Sequence, residues 1–408
     1  MFLSRRQFVR RAVAAPAVLS FGVMTPRFLL RAAEQPETRR QDRVLVVIQL
    51  SGGNDGLNTV VPYADDDYRR SRPTLAIPAR NVLKVNDEWG LHPALRGFAA
   101  LLEANQLAIV QGVGYPDPNR SHFESMDIWH TCRRKFESRS DGWLGQCLEQ
   151  LQRTRPQDVP ALHLGREQQP VALASRALRV PSVKSLEEFR LNVAAGDEAA
   201  AVRDLASRER DQPSGLLDFV QSSTSVAVNV SERLQETARS TTATGDYPQT
   251  DLGQKLQTIA RLIDSGLDTR VYYMAVDGFD THSQQSAAHA GLLKQVGDAV
   301  AAFTKDVGEQ GHAERLLTVC FSEFGRRVAE NASEGTDHGT AAPMFLAGSH
   351  VQAGFIGPHP SLSDLDAGDL RFHTDFRQVY AAILEDWLGC ASEPILGGEF
   401  RPVSIIAG

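Results

Sequence analysis

Four largely apolar runs punctuate the chain: 43–50, 107–114, 271–276 and 316–321. Each is short, rich in Val, Ile, Leu or aromatic residues, and closed by glycine or polar residues. That pattern predicts strands of a parallel sheet covered on both faces. Between the runs, apolar positions recur at helical spacing. Leu252, Leu256, Ile259, Ala260 and Ile263 share one face of a helix predicted over 252–265. Further helices are predicted over 91–102, 124–132, 142–152 and 284–307, and after Asp375 with Val379, Ile383, Leu384 and Trp387 inward. Pro93 suits a first helical turn, and Asp375 an N-cap. Shorter extended pieces are expected at 161–165, 180–183 and 343–348, with 170–174 as a hairpin partner. Residues 186–236 read as a charged helical insertion, closed by a polar loop over 239–250. Strands alternating with helices make this an α/β protein.

Composition changes little. The 408 residues are 42% hydrophobic and 23% charged, with a net charge of −7. This is an ordinary globular balance, and it excludes a basic nucleic-acid surface. The four cysteines show no CxxC spacing, which argues against a zinc ribbon. A Cys132–Cys147 bridge is open in an oxidising compartment; Cys320 reads as a small core residue. At the N-terminus, Arg5-Arg6-Gln7-Phe8 precedes a weakly apolar segment, 12–24, too short for a membrane span. Paired arginines before such a segment predict a twin-arginine export signal, with Ala32-Ala33 near the cleavage site. Residues 1–40 are therefore set apart as a leader for the twin-arginine translocase. Residues 41–408 are expected to form one domain carrying the insertion around 186–250, in the periplasm or outside the cell.

Chemistry gathers just after the strands. The first strand ends in Ser51-Gly52-Gly53-Asn54-Asp55-Gly56, the second in a loop leading to Arg120-Ser121-His122. The third ends in Asp277-Gly278-Phe279-Asp280-Thr281-His282, and the fourth in Ser322-Glu323-Phe324-Gly325-Arg326, with Asp337-His338 beyond. Open α/β sheets place ligands beyond the carboxyl ends of their strands. The candidate metal ligands are Asp55, Asp280, His282, Glu323, Asp337 and His338. Carboxylates and imidazoles without thiolates suit Zn²⁺, Mn²⁺, Fe or Mg²⁺, and their number suits one ion or two about 3.5–4 Å apart. Ser121 stands where a nucleophile or an ordinary N-cap would stand; His122 is open between a ligand and a packed imidazole. Arg120 and Arg326 are candidates to hold anionic oxygens. An imidazole at a helix start, as at His282, is better tolerated neutral and metal-bound than charged. His373 is a further, weaker candidate.

The stretches SGGNDGLNTVVP (51–62), NRSHFESMDIW (119–129), GWLG (142–145), GFDTHSQQ (278–285), SEFGR (322–326), TDHGTAAPMFLAG (336–348) and DFRQVYAAILEDWLG (375–389) resemble the family called domain of unknown function 1501. The likeness runs from about 43 to 390. Twin-arginine signals are frequent in that family, which is placed in the alkaline phosphatase-like superfamily with sulfatases and cofactor-independent phosphoglycerate mutases. The resemblance implies a three-layer α/β/α sandwich with a mostly parallel central sheet and a two-metal centre. It puts the first-strand Asp at Asp55 and the nucleophile at Ser121. One metal's Asp and His fall on Asp280 and His282, and the late His on His338. Two features depart from the superfamily pattern: Glu323-Phe324 replaces an Asp-His pair, and Asp280 and His282 stand closer in sequence than usual. The expected function is hydrolysis of a phosphate or sulfate ester, by Ser121 or a metal-bound water. The alternative is an inactive exported protein that binds a glycan or a cell-surface partner on the same scaffold.

Overall fold

The computed structural model describes residues 43–151, 159–165, 167–178, 180–183 and 245–407. The leader and nearly all of the insertion expected over 186–250 lie outside the described residues. Nine strands form the central sheet, labelled in chain order: β1 Val44–Leu50, β2 Leu107–Gly114, β3 Ala161–Leu164, β4 Ser182–Val183, β5 Val271–Val276, β6 Leu316–Phe321, β7 Ala342–Ala347, β8 Gly354–Ile356 and β9 Thr374–Asp375. The order is β8-β2-β7-β6-β1-β5-β3-β4, with β9 also on β2. Only β7 runs against its neighbours β6 and β2; the other pairings are parallel. The strands β1, β2, β5 and β6 therefore end on one edge, and the chain enters β7 from that same edge. This topology brings the loops carrying residues 51–55, 115–122, 277–282, 322–326 and 336–338 together.

Alternation along β1 shows why two layers of helix are needed. Val44, Val46, Ile48 and Leu50 enter one core with helices α1 (Arg96–Glu103), α4 (Asp251–Asp264) and α5 (Gln285–Glu309). Leu45 and Val47 enter the other, with α2 (His122–Thr131), α3 (Trp143–Leu151) and α6 (Phe376–Ala382). Apolar side chains leave both faces of the pleat, and each face is covered. The result is a three-layer α/β/α sandwich around a mostly parallel sheet. Asp375 caps α6 in a reciprocal box with Gln378.

Three details differ from the sequence reading. Leu91 is not helical: Gly90–Leu91 pairs with Val60–Val61 and Leu83–Lys84 in a small side sheet, and the helix starts at Arg96. Residues 170–174 are not a hairpin strand. Val171–Leu173 is a 3₁₀ turn whose carbonyls rest on α3, with the Gly142 amide donating to the Ala174 carbonyl at 2.9 Å. A Cβ on Gly145 would sit 1.9 Å from that carbonyl, so the contact requires glycine. Finally, Cys147 faces Cys390 at 2.6 Å between sulfurs, and no bond joins it to Cys132. No helix among the described residues is long and apolar enough to cross a membrane.

Candidate metal centre

Arg326 fixes the loops at the sheet edge. Its guanidinium is fully buried and donates to the carbonyls of Gly53 (2.7 Å), Thr336 (2.8 Å), Phe279 (3.0 Å) and Gly52, and to Asp280 Oδ1 at 2.7 Å. One side chain thus joins the ends of β1 and β5 to the segment before β7. Gly52 permits the approach: its φ is +117°, and a Cβ there would meet the Asp280 backbone nitrogen at 2.3 Å.

Three imidazoles surround Asp280. His338 Nε2 lies 3.0 Å, His282 Nε2 3.1 Å and His122 Nε2 3.5 Å from Asp280 Oδ1, and the first two nitrogens are 2.9 Å apart. Each ring is anchored through its other nitrogen. His338 Nδ1 donates to the Arg120 carbonyl at 2.8 Å, His122 Nδ1 to Glu323 Oε1 at 2.8 Å, and His282 Nδ1 to Asp337 Oδ1 at 3.3 Å. With the proton on Nδ1, each Nε2 can offer its lone pair to a metal ion; without one, a protonated Nε2 donates to Asp280 Oδ1. Buried His122 Nε2 has no hydrogen-bond partner. Crowded together, these nitrogens and the carboxylate need protons or a metal cation among them. Ligand atoms of a tetrahedral site with bonds of about 2.0–2.1 Å stand roughly 3.3 Å apart, and the spacings here bracket that value. The residues therefore fit a metal ion. His122, Asp280 and His338 each offer a donor atom within 4.8 Å of the others.

The surrounding groups hold this arrangement. The buried Glu323 carboxylate accepts from His122 and from the Gly52 amide at 2.9 Å. That hydrogen bond raises the His122 pKa above its usual value, against the effect of burial. Partial burial works against charge on Asp280, but the bonds from Arg326 and His338 outweigh it and hold its pKa at about 2. Metal-bound histidines characteristically give their second nitrogen to a carboxylate or carbonyl, and that is the pattern at all three rings.

Asp55, expected among the ligands, stands apart. Its buried carboxylate accepts from Arg72 Nη1 at 2.6 Å, from the Gln285 side chain, and from the Asn58 amide as a helix cap. Burial pushes its pKa up, and the Arg72 guanidinium more than reverses that, leaving it lowered. Behind it His289 donates to Asn54 Oδ1 at 2.9 Å, and burial depresses His289 and His92 to about 4. Glu323 and Asp337 touch the imidazoles rather than the convergence point. Arg326, expected to hold an anion, spends its donors on the loops. The Arg120 side chain pairs with buried Asp369. Ser121 heads α2, exposed, with no capping bond from its hydroxyl. His373 engages the Pro358 carbonyl and Thr374 elsewhere.

A cleft of about 570 Å³ opens beside the cluster, bordered by His122, Phe123, Met126, His130 and Val171. Among the described residues its wall carries Asp127, Asp277, Asp280 and Glu323 and neither lysine nor arginine. Two residues of this assembly escaped the set of candidate ligands and partners read from sequence. His122 was open to two readings; the conflict noted for an imidazole in a first helical turn at His282 applies to it equally. For Arg72 the sequence carries no signal.

The sequence profile of the family described as "Protein of unknown function (DUF1501)" matches residues 42–374. The chain belongs to this family. No curated protein matches it. Among solved structures it is similar to the PsFucS1 sulfatase from Pseudoalteromonas sp., at 9% identity and a TM-score of 0.41, over 94% of this chain and 78% of that one. It is also similar to the alkaline phosphatase from the Antarctic bacterium TAB5, at 10% identity and a TM-score of 0.30, over 75% and 92%. The lipoteichoic acid synthase LtaP from Listeria monocytogenes stands at 10% and 0.35, over 77% and 68%. Scores this low say nothing about chemistry, which for this DUF1501 chain rests on its own residues.

Proposed function

We propose that the chain is an exported, metal-dependent hydrolase of phosphate or sulfate esters. The observation that carries this reading is the convergence of three Nδ1-anchored imidazoles on Asp280. In it, His122, Asp280, His282 and His338 hold one divalent ion. Three nitrogens and one oxygen suit Zn²⁺ best, with Mn²⁺ second and Mg²⁺, which prefers oxygen ligands and retained water, last. A bound divalent ion supplies Lewis-acid charge at the cleft. Asp55 and Glu323 are already engaged, so the assembly accounts for one ion.

The chain's own residues supply the rest. Glu323, Asp337 and the Arg120 carbonyl orient the imidazoles. The free hydroxyl of Ser121, adjacent in sequence to both His122 and Arg120, is the candidate nucleophile; a water is the other. The four carboxylates of the cleft repel an anionic ester, so ester binding depends on the cation. Export follows the paired Arg5 and Arg6, through the twin-arginine translocase. One observation favours the binding-protein alternative: Arg120 and Arg326 are both paired within the protein, leaving neither guanidinium free to clamp a transferring group.

The test is a panel of aryl phosphate, phosphodiester and sulfate esters, assayed after chelation and again with Zn²⁺, Mn²⁺ or Mg²⁺ restored. The hydrolase reading expects turnover that chelation abolishes and Zn²⁺ or Mn²⁺ restores, and that Asp280→Asn removes. Absence of turnover on every ester with every metal favours the binding protein instead.

A further inference from the structure

All four cysteines are buried, and the fold brings two of their sulfurs together. Cys147 lies on the inner face of α3; Cys390 follows the last turn after α6, 243 residues later. Their sulfurs are 2.6 Å apart. That is well inside the roughly 3.5–4.0 Å at which uncharged heavy atoms rest in contact, and a small shift from the bonding distance of about 2.05 Å. The backbones are clamped side by side. The Cys390 amide donates to the Leu384 carbonyl at 2.7 Å. The Gln150 side chain, one turn beyond Cys147, accepts from the Ala391 amide at 3.0 Å and donates to its carbonyl at 3.3 Å. Apolar residues of the second core surround the pair. Neither sulfur joins a cluster of metal-ligating side chains among the described residues.

We propose that Cys147 and Cys390 form a structural disulfide. The reaction is thiol–disulfide exchange with an organic or protein disulfide as oxidant. One thiolate attacks the oxidant's sulfur and releases a thiol; the second displaces the mixed disulfide. Two S–H bonds are lost and one S–S bond is formed. Two protons and two electrons leave, and the oxidant is reduced to two thiols. Burial raises the Cys147 thiol well above its usual range, so thiolate is scarce once the chain has folded. The bond therefore forms while the chain folds or opens, and persists in an oxidising compartment. It closes a very long loop, which is where a cross-link restricts the unfolded chain most. It also ties the C-terminal segment to α3, the helix that seats the 171–173 turn beside the cleft.

The full chain is refolded, and in parallel left native, with oxidised glutathione. It is then denatured in alkylating agent without reductant, digested and mapped by mass spectrometry. The expected result after refolding is one species joining the Cys147 and Cys390 peptides, lighter than their sum by two hydrogens and split by dithiothreitol. Cys132 and Cys320 are alkylated. Thermal melts supply the second readout. Oxidised protein melts higher than reduced protein, by about 5 °C or more, and Cys390→Ser loses that sensitivity to reductant. Alkylation of both Cys147 and Cys390 in both arms overturns the proposal. So does a cross-link from Cys147 to Cys132, or a reductant-sensitive melt that survives Cys390→Ser.

Discussion

Asp55 and Asp280 both follow a central strand of the same sheet, on the same edge, yet they live in opposite environments. Asp55 is sealed in, and the protein supplies its cation, Arg72, with Gln285 and the Asn58 amide filling its remaining positions. Asp280 is half exposed, takes one donor from Arg326, and faces three imidazole nitrogens, of which His122 Nε2 has no hydrogen-bond partner. One carboxylate is sealed into a structural joint; the other, paired with Arg326, still opens toward imidazoles and solvent. Position after a strand marks a carboxylate as a candidate, and its partners decide which of these roles it takes.

The largest effect expected from breaking this contrast is at Arg72. Arg72→Met leaves Asp55 charged and buried without its partner, which costs about 3–5 kcal/mol in urea unfolding. Metal content per folded chain stays unchanged. A near-neutral result would mean that the pair does not bear on stability as its burial requires.

Next come the groups that orient the imidazoles. Glu323→Gln and Asp337→Asn keep every proposed ligand and weaken its support, so zinc affinity by competition with a chromogenic chelator falls about 10–100-fold. Equal affinity in both variants would remove these carboxylates from the assembly.

The pH responses of the two regions run in opposite directions. The Asp55 pKa is lowered in the folded chain, so its stabilisation is full above the ordinary carboxylate value and is lost as pH falls through the folded value. The His122 pKa is raised by Glu323. Its contribution to the metal-free fold is therefore full below the ordinary imidazole value and lost as pH rises through the folded one. A metal needs that proton gone, so affinity climbs with pH, with a midpoint above the ordinary histidine value. Melting curves without metal across pH 2–8, and zinc titrations from pH 5 to 9, separate the two slopes. The smallest structural effect is at Ser121: Ser121→Ala changes stability by no more than about 0.5 kcal/mol. Full ester turnover in that variant leaves water as the nucleophile.

Strands β1, β2, β5 and β6 are legible in the sequence because continuous Val, Ile and Leu runs admit few other burials. The loops with the reactive side chains follow from where those runs stop. Local sequence does not show which side chains meet across loops. Arg326 next to Glu323 looks like a surface charge pair or an anion clamp. It is instead buried, because four carbonyls from three segments need donors once the loops close. Arg72 reaches Asp55 from 17 residues away, past a short strand and two short helices that carry no long-range periodicity. His122 and Ser121 are neighbours of equal promise in sequence. Only the docking of α2 against the end of β6 turns the histidine toward Asp280. Residues 170–174 have the composition of a strand, but Gly142 and Gly145 let them fold onto a helix.

The account is tested most directly by the metal content of purified, extensively dialysed protein, measured by inductively coupled plasma mass spectrometry beside Asp280→Asn. The prediction is about one divalent transition-metal ion per chain in the unaltered protein, matching a single site with a free-standing ligand set, and its loss in the variant with the fold retained by circular dichroism. A chain that takes up no such ion when zinc or manganese is offered, or an Asp280→Asn variant that holds as much as the parent, would contradict it.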